Sequence, residues 1–283
     1  MGGNVQDTTT RRRAPMLFIA LLAIVALLVA ACGSSGGSKS SASTNSNDLG
    51  GKTVTVAVEN QYPPFNYINK DTKKAEGWDY DTWRKICTII KCKVEFKETG
   101  FEGMIQAVSD SQFDAAADGI TITPERAKVV DFSRGYIKVE QRLMVKKGET
   151  AFTSLDAFKK GDYKVGTQTG TTNYDAAKKL YGAGRVQAFE TFPFAVQALL
   201  NGDVDAVIID DTAGQGYVGA DKESLELLPG SITSQELGFI YPKGSDLVAP
   251  VNYALKQMEA DGSLKAISDK FFSPTFEPPV ADG

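Results

Sequence analysis

The sequence of 283 residues contains no histidine. This absence excludes Ser-His-Asp and Cys-His catalysis and every metal site that uses an imidazole ligand. Cysteine is scarce, and three cysteines cannot form a four-thiolate zinc site. Basic residues are slightly outnumbered, 31 Lys and Arg against 35 Asp and Glu, so the net charge of −4 argues against a nucleic-acid partner. We therefore expect no metal, no cofactor and no nucleic acid.

The N-terminal region lacks a hydrophobic run long enough for a membrane span. Its apolar run, Met16 to Val29, has 14 residues, whereas a spanning helix needs roughly 20. The run follows the basic cluster Arg11 to Arg13, an order typical of a secretory signal. It ends in Val-Ala-Ala-Cys32, which resembles a bacterial lipobox and implies lipidation of Cys32 as the new N-terminus. An ordinary signal peptide or a true membrane anchor is the alternative.

The segment after Cys32 has the composition of a flexible linker. Residues 33–48 are mostly Ser, Gly, Thr and Asn, which cannot bury enough apolar surface to fold. We expect a signal peptide over 1–31, a tether over 32–50, and an extracytoplasmic body lipid-anchored to the bacterial cell membrane. In that compartment Cys87 and Cys92 can form a local disulfide, with two free buried thiols as the alternative.

Strand and helix patterns alternate after the tether. Residues 53–58 alternate β-branched side chains, and residues 204–209 form a nearly continuous apolar strand. Asp79 or Asp81 is a candidate cap for a helix that ends near Ile90. The alternation predicts a mostly parallel α/β fold in two lobes, with ligands at the carboxyl ends of the strands.

Polar residues follow the predicted strands, whereas phosphate and nucleophile motifs are missing. The sequence has no GxxxxGK[ST], no GxSxG, and only an incomplete glycine motif at residues 214–216. Arg126 offers a planar fork for a carboxylate, the Thr171 and Thr172 amides open a helix, and Asp210 ends a strand. This set suits a zwitterion; a structural Arg126–Asp210 salt bridge is the alternative.

The most specific stretch is residues 113–137, FDAAADGITITPERAKVVDFSRGYI. With GWDYD (77–81), VGTQTGTT (165–172), GDVDAVIID (202–210) and DGSLKAISDKFF (261–272), it resembles the family 3 extracellular solute-binding proteins of ABC transporters, which bind polar amino acids. The resemblance covers residues 52–272. It implies two Rossmann-like lobes of the type II periplasmic binding protein kind: residues 51–138 with 238–283, and residues 139–237. Hinge strands would lie near 135–142 and 234–239.

The resemblance also implies the role of each site residue. The α-carboxylate would be held by Arg126, Thr171 and Thr172; the α-ammonium by the Gly119 carbonyl, the Thr121 hydroxyl and Asp210; and the side chain by walls of Tyr62 and Phe101 and by Glu59. Glu59 stands where an Asp is usual, and Asp118 where many members have a small residue. Tyr62 and Phe101 could instead be core aromatics, and Glu59 could pair with a surface lysine.

The charges of these residues indicate the ligand class. Arg126 and Asp210 offset the two poles of an amino acid, which leaves Glu59, with Asp118 adding to it. Because an unpaired carboxylate in a closed cleft is costly, we expect a cationic or donor-rich side chain: arginine or lysine, otherwise glutamine. We expect a monomeric binding lipoprotein that delivers this ligand to permease subunits, without catalytic residues. An arogenate or prephenate dehydratase-like enzyme, or an amino acid sensor, is the alternative.

Overall fold

The structure, a computed structural model, describes residues 47–279. The predicted signal peptide, Cys32 and most of the predicted tether lie outside these residues. Within them, none of the helices has the length and apolar character needed to cross a membrane.

The strands and helices alternate along most of the chain, as the sequence pattern predicts. The strands are β1 Thr53–Val58, β2 Gln61–Tyr62, β3 Asn66–Ile68, β4 Ala75–Glu76, β5 Lys93–Glu98, β6 Ala115–Ala116, β7 Val130–Phe132, β8 Ile137–Lys146, β9 Val165–Gln168, β10 Val186–Phe189, β11 Ala206–Asp210, β12 Leu225–Leu227, β13 Ser234–Leu237 and β14 Ile240–Pro242. The helices are α1 Trp78–Ile90, α2 Phe101–Ser109, α3 Leu155–Lys160, α4 Thr172–Tyr181, α5 Phe192–Asn201, α6 Asp211–Ala220, α7 Val248–Ala260 and α8 Ser263–Phe271.

Two separate sheets form the centres of two lobes. The sheet of the first lobe has the order β5-β1-β6-β14-β7, and that of the second has β10-β9-β11-β8-β12. Strands β1, β5 and β6 are parallel, as are β9, β10 and β11. Strands β14 and β8 run antiparallel to their neighbours, so the sheets are mixed rather than mostly parallel. The predicted two-lobe α/β fold is confirmed.

The chain passes between the lobes along two paired strands. Strand β13 pairs antiparallel with the first residues of β8, with Leu237 opposite Ile137 and Ser234 opposite Glu140. These strands coincide with the two predicted hinge segments. Buried aromatic rings pack beside them: Tyr136 lies 4.6 Å from Trp78 and 4.7 Å from Phe239, between ring centroids. Such packing holds the base of the two crossing strands in a fixed position.

The folded body begins earlier than the predicted tether boundary at residue 50. The Leu49 amide donates to the Ile90 carbonyl at 2.7 Å, and Lys91 pairs with Asp48. Helix α1 then ends at Ile90 and is joined to the next strand by a disulfide between Cys87 and Cys92, whose Cα atoms are 4.5 Å apart. Residues 48–50 therefore belong to the first lobe.

The start of α1 differs from the predicted aspartate cap. Gly77 occupies the N-cap position at φ 135°, without a side-chain cap. A Cβ at Gly77 would lie 2.2 Å from the Phe65 carbonyl oxygen, so a glycine is required here. Asp79 instead points into the interior, where it accepts a hydrogen bond from Asn66. Asp81 is on the surface and pairs with Lys270 and Arg84.

Candidate functional site

A small cavity lies between the two lobes at the carboxyl ends of β6, β9 and β11. Its volume is about 20 Å³, which is room for about one water molecule. It is lined by Tyr62, Phe101, Asp118, Gly119, Thr121, Arg126, Gln168, Thr171, Thr172, Asn173, Phe192 and Asp210. Every predicted ligand residue except Glu59 is in this lining. An amino acid needs more room, so its entry requires the lobes to separate.

Arg126 forms the cationic side of the cavity. It follows Pro124 and begins a short 3-10 turn, where its amide is held by the Thr123 hydroxyl at 3.1 Å. Its guanidinium donates to the carbonyls of Thr121, at 3.0 Å, and of Gly170, at 3.2 Å on the other lobe. The guanidinium carbon also lies 5.7 Å from the Phe101 ring centroid. Backbone carbonyls and a ring thus orient the cation without neutralising it.

The start of α4 supplies the second part of this anion site. Thr171 is the N-cap: its hydroxyl accepts from the Tyr174 amide and donates to the Gln168 carbonyl at 2.7 Å. The first amides of a helix have no intrahelical acceptor and carry the positive end of the helix dipole. Arg126 and the start of α4 therefore approach the same end of the cavity from different lobes, a suitable arrangement for a carboxylate.

Two threonines at the cavity contact the hinge strands. The Thr121 hydroxyl and the Thr172 hydroxyl donate to the Gln235 side chain at 3.1 and 2.9 Å. The amide of Gln141, in β8, donates to Thr172 at 3.1 Å. The Thr121 hydroxyl, predicted as an ammonium ligand, is thus part of a network that joins both lobes to both hinge strands in the closed arrangement.

Asp210 forms the anionic side of the cavity at the end of β11. Its side chain is buried and accepts from the Tyr62 hydroxyl at 3.0 Å and from the Asn173 amide at 3.2 Å. Burial raises the pKa of Asp210 to about 6, an effect partly offset by these hydrogen bonds and by Arg126. Among the ion pairs of residues 47–279, none joins Arg126 to Asp210, so the alternative of a structural salt bridge does not hold.

Gly119 lets the backbone approach the cavity wall. Its φ is 57°, a left-handed conformation that glycine adopts readily. A Cβ here would lie 2.7 Å from Cε1 of the Tyr62 ring. The conformation and the contact both require glycine at this position.

Glu59 lies next to the cavity rather than in its lining. It is 4% exposed, and its Oε1 accepts from the Gln168 side chain at 2.7 Å and from the Phe101 amide at 3.4 Å. Its Oε2 is buried without a hydrogen-bond partner among the described residues. No lysine pairs with Glu59 among the ion pairs of this part of the chain, so the surface-pair alternative does not hold.

Asp118 is a second buried carboxylate beside Glu59. It accepts from the Asn66 amide at 2.6 Å and from the Glu59 backbone amide at 3.4 Å. Burial, and secondly repulsion from Asp118, raises the pKa of Glu59 to about 8. Burial also raises the pKa of Asp118 to about 7. Both shifts favour the protonated forms, so the unpaired charge expected from the sequence is reduced at neutral pH.

Four lining residues were not among the predicted ligand residues: Asp118, Gln168, Asn173 and Phe192. Gln168 is the last residue of β9, Asn173 lies in the first turn of α4, and Phe192 begins α5. These three lie at the end of a strand of the second lobe or shortly after one, so the strand-end rule, applied to every strand, includes them as candidates. Phe192 stacks on Tyr62 across the lobes, with ring centroids 5.3 Å apart. Tyr62 and Phe101 are both buried and part of the wall, so core packing and lining are compatible.

The site therefore presents a guanidinium and helix amides for an anion and the Asp210 carboxyl for a cation, with the carboxyls of Asp118 and Glu59 at or beside its lining. Groups of His, Cys, Asp and Glu arranged for a metal ion are absent from residues 47–279. The Tyr62 hydroxyl keeps its proton and remains a hydrogen-bond donor, because burial raises its pKa well above the ordinary value.

Comparison with known proteins gives a consistent result. The sequence model of the bacterial extracellular solute-binding proteins, family 3, matches residues 54–274. The L-cystine-binding protein TcyA of Bacillus subtilis is 32% identical over 77% of this chain and 81% of its own. The arginine-, lysine-, histidine-binding protein ArtJ of Geobacillus stearothermophilus is 33% identical, with a TM-score of 0.73 over 80% of this chain and 97% of that one. An ancestral arginine-binding protein bound to glutamine is 35% identical, with a TM-score of 0.72 over 78% and 97%.

Proposed function

Because this chain belongs to the family 3 bacterial extracellular solute-binding proteins, we propose that it captures a polar amino acid outside the cytoplasm and delivers it to the permease of an ABC transporter. The two lobes close on the ligand by motion at strands β8 and β13. Its relatives include a cystine-binding protein, an arginine-, lysine-, histidine-binding protein and an ancestral arginine-binding protein bound to glutamine. Membership of the family therefore does not identify the ligand.

The opposite poles of the cavity support an α-amino acid as the ligand. Arg126 and the first amides of α4 hold the carboxylate, and Asp210 with the Gly119 carbonyl holds the ammonium. Both lobes contribute to each pole, because Arg126 and Gly119 lie in the first lobe and α4 and Asp210 lie in the second. A bound amino acid therefore bridges the two lobes and stabilises the closed state. No covalent step is required of any of these residues.

The observation that carries the ligand class is the unpartnered Oε2 of Glu59. A cationic side chain favours the ionised form of this carboxyl, and the unpartnered oxygen then gains a hydrogen bond from the donor-bearing ligand. Asp118 provides a second carboxylate nearby, since it accepts from the Glu59 amide. We therefore propose arginine or lysine as the ligand, with glutamine as the neutral alternative.

Isothermal titration of the purified protein with each of the twenty amino acids tests this proposal. We expect tight binding of arginine or lysine, or else of glutamine. Tight binding of glutamate or aspartate without a basic or amide ligand would contradict the ligand class. The absence of binding to all twenty would contradict the proposed function itself.

We also propose that the mature protein is a monomer lipidated at Cys32 and anchored through residues 33–47. Metabolic labelling with a radioactive fatty acid tests the anchor. Label should enter the full chain and be lost with Cys32→Ser, which should also release the protein from membranes. Label retained in Cys32→Ser would contradict this site of attachment.

A further inference from the structure

A larger cavity of about 410 Å³ lies between the same two lobes and shares no lining residue with the amino acid site. The stacked rings of Tyr62 and Phe192 line the small cavity. Their sequence neighbours Gln61, Pro63 and Pro193 line the large one. The two cavities are therefore lined by adjacent residues of the same two segments.

The walls of the large cavity come from both lobes. The apolar part is formed by Pro63, Tyr67, Val196, Leu200, Tyr217 and Leu225. The lobes are bonded at its edge, where the Tyr217 hydroxyl donates to the Gln61 carbonyl at 2.7 Å. Its volume is within the range of small-molecule sites, which are mostly apolar with a few polar groups.

The charges of the lining indicate the sign of an occupant. Glu98 and Asp221 are its carboxylates, and the residues lining the cavity include no lysine or arginine. Glu98 is oriented by the Asn60 side chain, whose amide donates to it at 2.6 Å. Tyr67 and Tyr217 add aromatic rings from opposite lobes, and ring faces attract cations.

We propose that this cavity is a second ligand site, which binds an aromatic or aliphatic cation and thereby favours closure of the lobes. An occupant contacts both lobes only when they are closed, so it has higher affinity for that state. By linkage, it then raises the affinity for the amino acid in the neighbouring site. This coupling depends on the proposed amino acid function, whereas binding of the cation does not.

Benzyltrimethylammonium is a suitable probe, because it has an apolar ring and a fixed charge but no hydrogen to donate to Asp210. We expect saturable binding by calorimetry, and weaker binding of neutral benzyl alcohol. The substitution Ala220→Trp should fill the cavity and reduce the affinity for the probe at least about tenfold, while Asp221→Asn should reduce it about fivefold. Glu223→Gln, a charge change of the same size outside the lining, should have no effect.

The coupling is tested by titrating arginine, or glutamine where arginine does not bind, with and without saturating probe. We expect the Kd of the amino acid to fall about fivefold with the probe. An unchanged Kd would overturn the coupling, and competition would place the probe in the amino acid site. Absence of saturable probe binding, or equal binding by Ala220→Trp, would overturn the second site. Failure of every amino acid to bind, with probe binding intact, would instead contradict only the proposed function and its coupling.

Discussion

The Tyr62 hydroxyl, on the first lobe, donates a hydrogen bond of 3.0 Å to Asp210, on the second. In the closed cavity this bond satisfies part of the carboxylate that we assign to the ligand ammonium. The arrangement therefore stabilises closure without a ligand, and an incoming ammonium competes with the hydroxyl for the same acceptor. The Tyr62 ring has a separate role, because it stacks on Phe192 and faces Gly119.

The two roles of Tyr62 can be separated by substitution. Tyr62→Phe keeps the ring and removes the competing donor. Because the ligand ammonium replaces the hydroxyl at the same acceptor, we expect the amino acid Kd to change by less than about fivefold. Tyr62→Ala removes the wall and should weaken binding at least about thirtyfold. Titration calorimetry measures both. Equal losses for the two variants would contradict a separate role for the ring.

The two poles of the site predict the largest losses of affinity. Arg126→Ala and Asp210→Ala each leave the opposite charge of a bound amino acid without its partner in a buried place. Such losses cost about 2–5 kcal/mol, so we expect affinity to fall at least about thirtyfold for every amino acid. Arg134→Ala and Asp246→Ala are matched controls, because these side chains form ion pairs away from the cavity. Unchanged affinity in either pole variant would refute the assigned poles.

A cationic ligand should displace protons from Glu59 and Asp118. Their pKa values are raised to about 8 and about 7 in the closed cavity, and a nearby positive charge favours the ionised form. At pH 7.5 we expect about half to one proton released for each arginine or lysine bound. Affinity for these ligands should therefore rise with pH between 6 and 8.

Proton release is measured from the binding enthalpy in phosphate and in Tris, since the two buffers differ in ionisation enthalpy. Glu59→Gln should reduce the difference, and Glu223→Gln should preserve it. Glutamine, as a neutral ligand, should release almost no protons. Equal enthalpies in both buffers for a tightly bound basic amino acid would contradict the proposed contact with the carboxylates.

The ligand-free protein should lose stability as pH rises from 5 to 8.5. The buried carboxyls of Glu59, Asp118 and Asp210 have raised pKa values, so the folded state binds more protons than the unfolded chain in this range. Their stabilising effect is complete below the ordinary pKa and disappears above the folded one. Carboxylates with lowered pKa values act in the opposite direction, but at lower pH; they are Asp48, Asp131, Asp261 and Glu277.

Thermal melts at pH 5, 7 and 8.5 measure this dependence. Glu59→Gln should flatten the decrease, since the amide stays neutral at every pH. Glu223→Gln should follow the wild-type curve. A melting temperature that rises steadily from pH 5 to pH 8.5 would contradict the raised pKa values.

The approach of Gly119 to Tyr62 gives a prediction with a matched control. Gly119→Ala forces a left-handed residue and places Cβ against the Tyr62 ring, so we expect lower stability and at least about tenfold weaker binding. Gly148 has a similar positive φ of 76° but open space around it, so Gly148→Ala should lower stability alone. Chemical denaturation and titration of both variants separate the two effects. Equal binding by Gly119→Ala and the wild type would contradict the importance of this contact.

The sequence predicts a site residue mainly where the position of that residue relative to the end of a strand is enough to place it at the site. Gly119 and Thr172 lie a few residues after strands and Asp210 ends one, so their place at the carboxyl edge depends only on the α/β pattern. Asn173 and Phe192 could not be ranked in this way, since the Asn173–Asp210 bond depends on the packing of α4 beside β11, and the stacking of Phe192 on Tyr62 depends on the position of one lobe against the other. The position of β14 between β6 and β7, antiparallel to both, likewise depends on the return of the chain from the second lobe.

Protonation is the property that the sequence predicts least. The sequence predicts unpaired carboxyl groups near the ligand site, at Glu59 and Asp118. That their pKa values are raised follows from their burial and, for Glu59, from the repulsion of Asp118, which are tertiary properties. Asp79 shows the same limitation: a surface cap and a buried partner of Asn66 have the same sequence pattern but different electrostatics.

The double crossing at β8 and β13 also affects the order in which the protein can fold during synthesis. The second sheet is built from one uninterrupted stretch, β8 to β13, so it can assemble as soon as that stretch leaves the ribosome. Strand β7 borders the first sheet only through β14, about a hundred residues later. The first sheet of the nascent chain therefore stays incomplete, with an unpaired edge, until the second lobe has been synthesised.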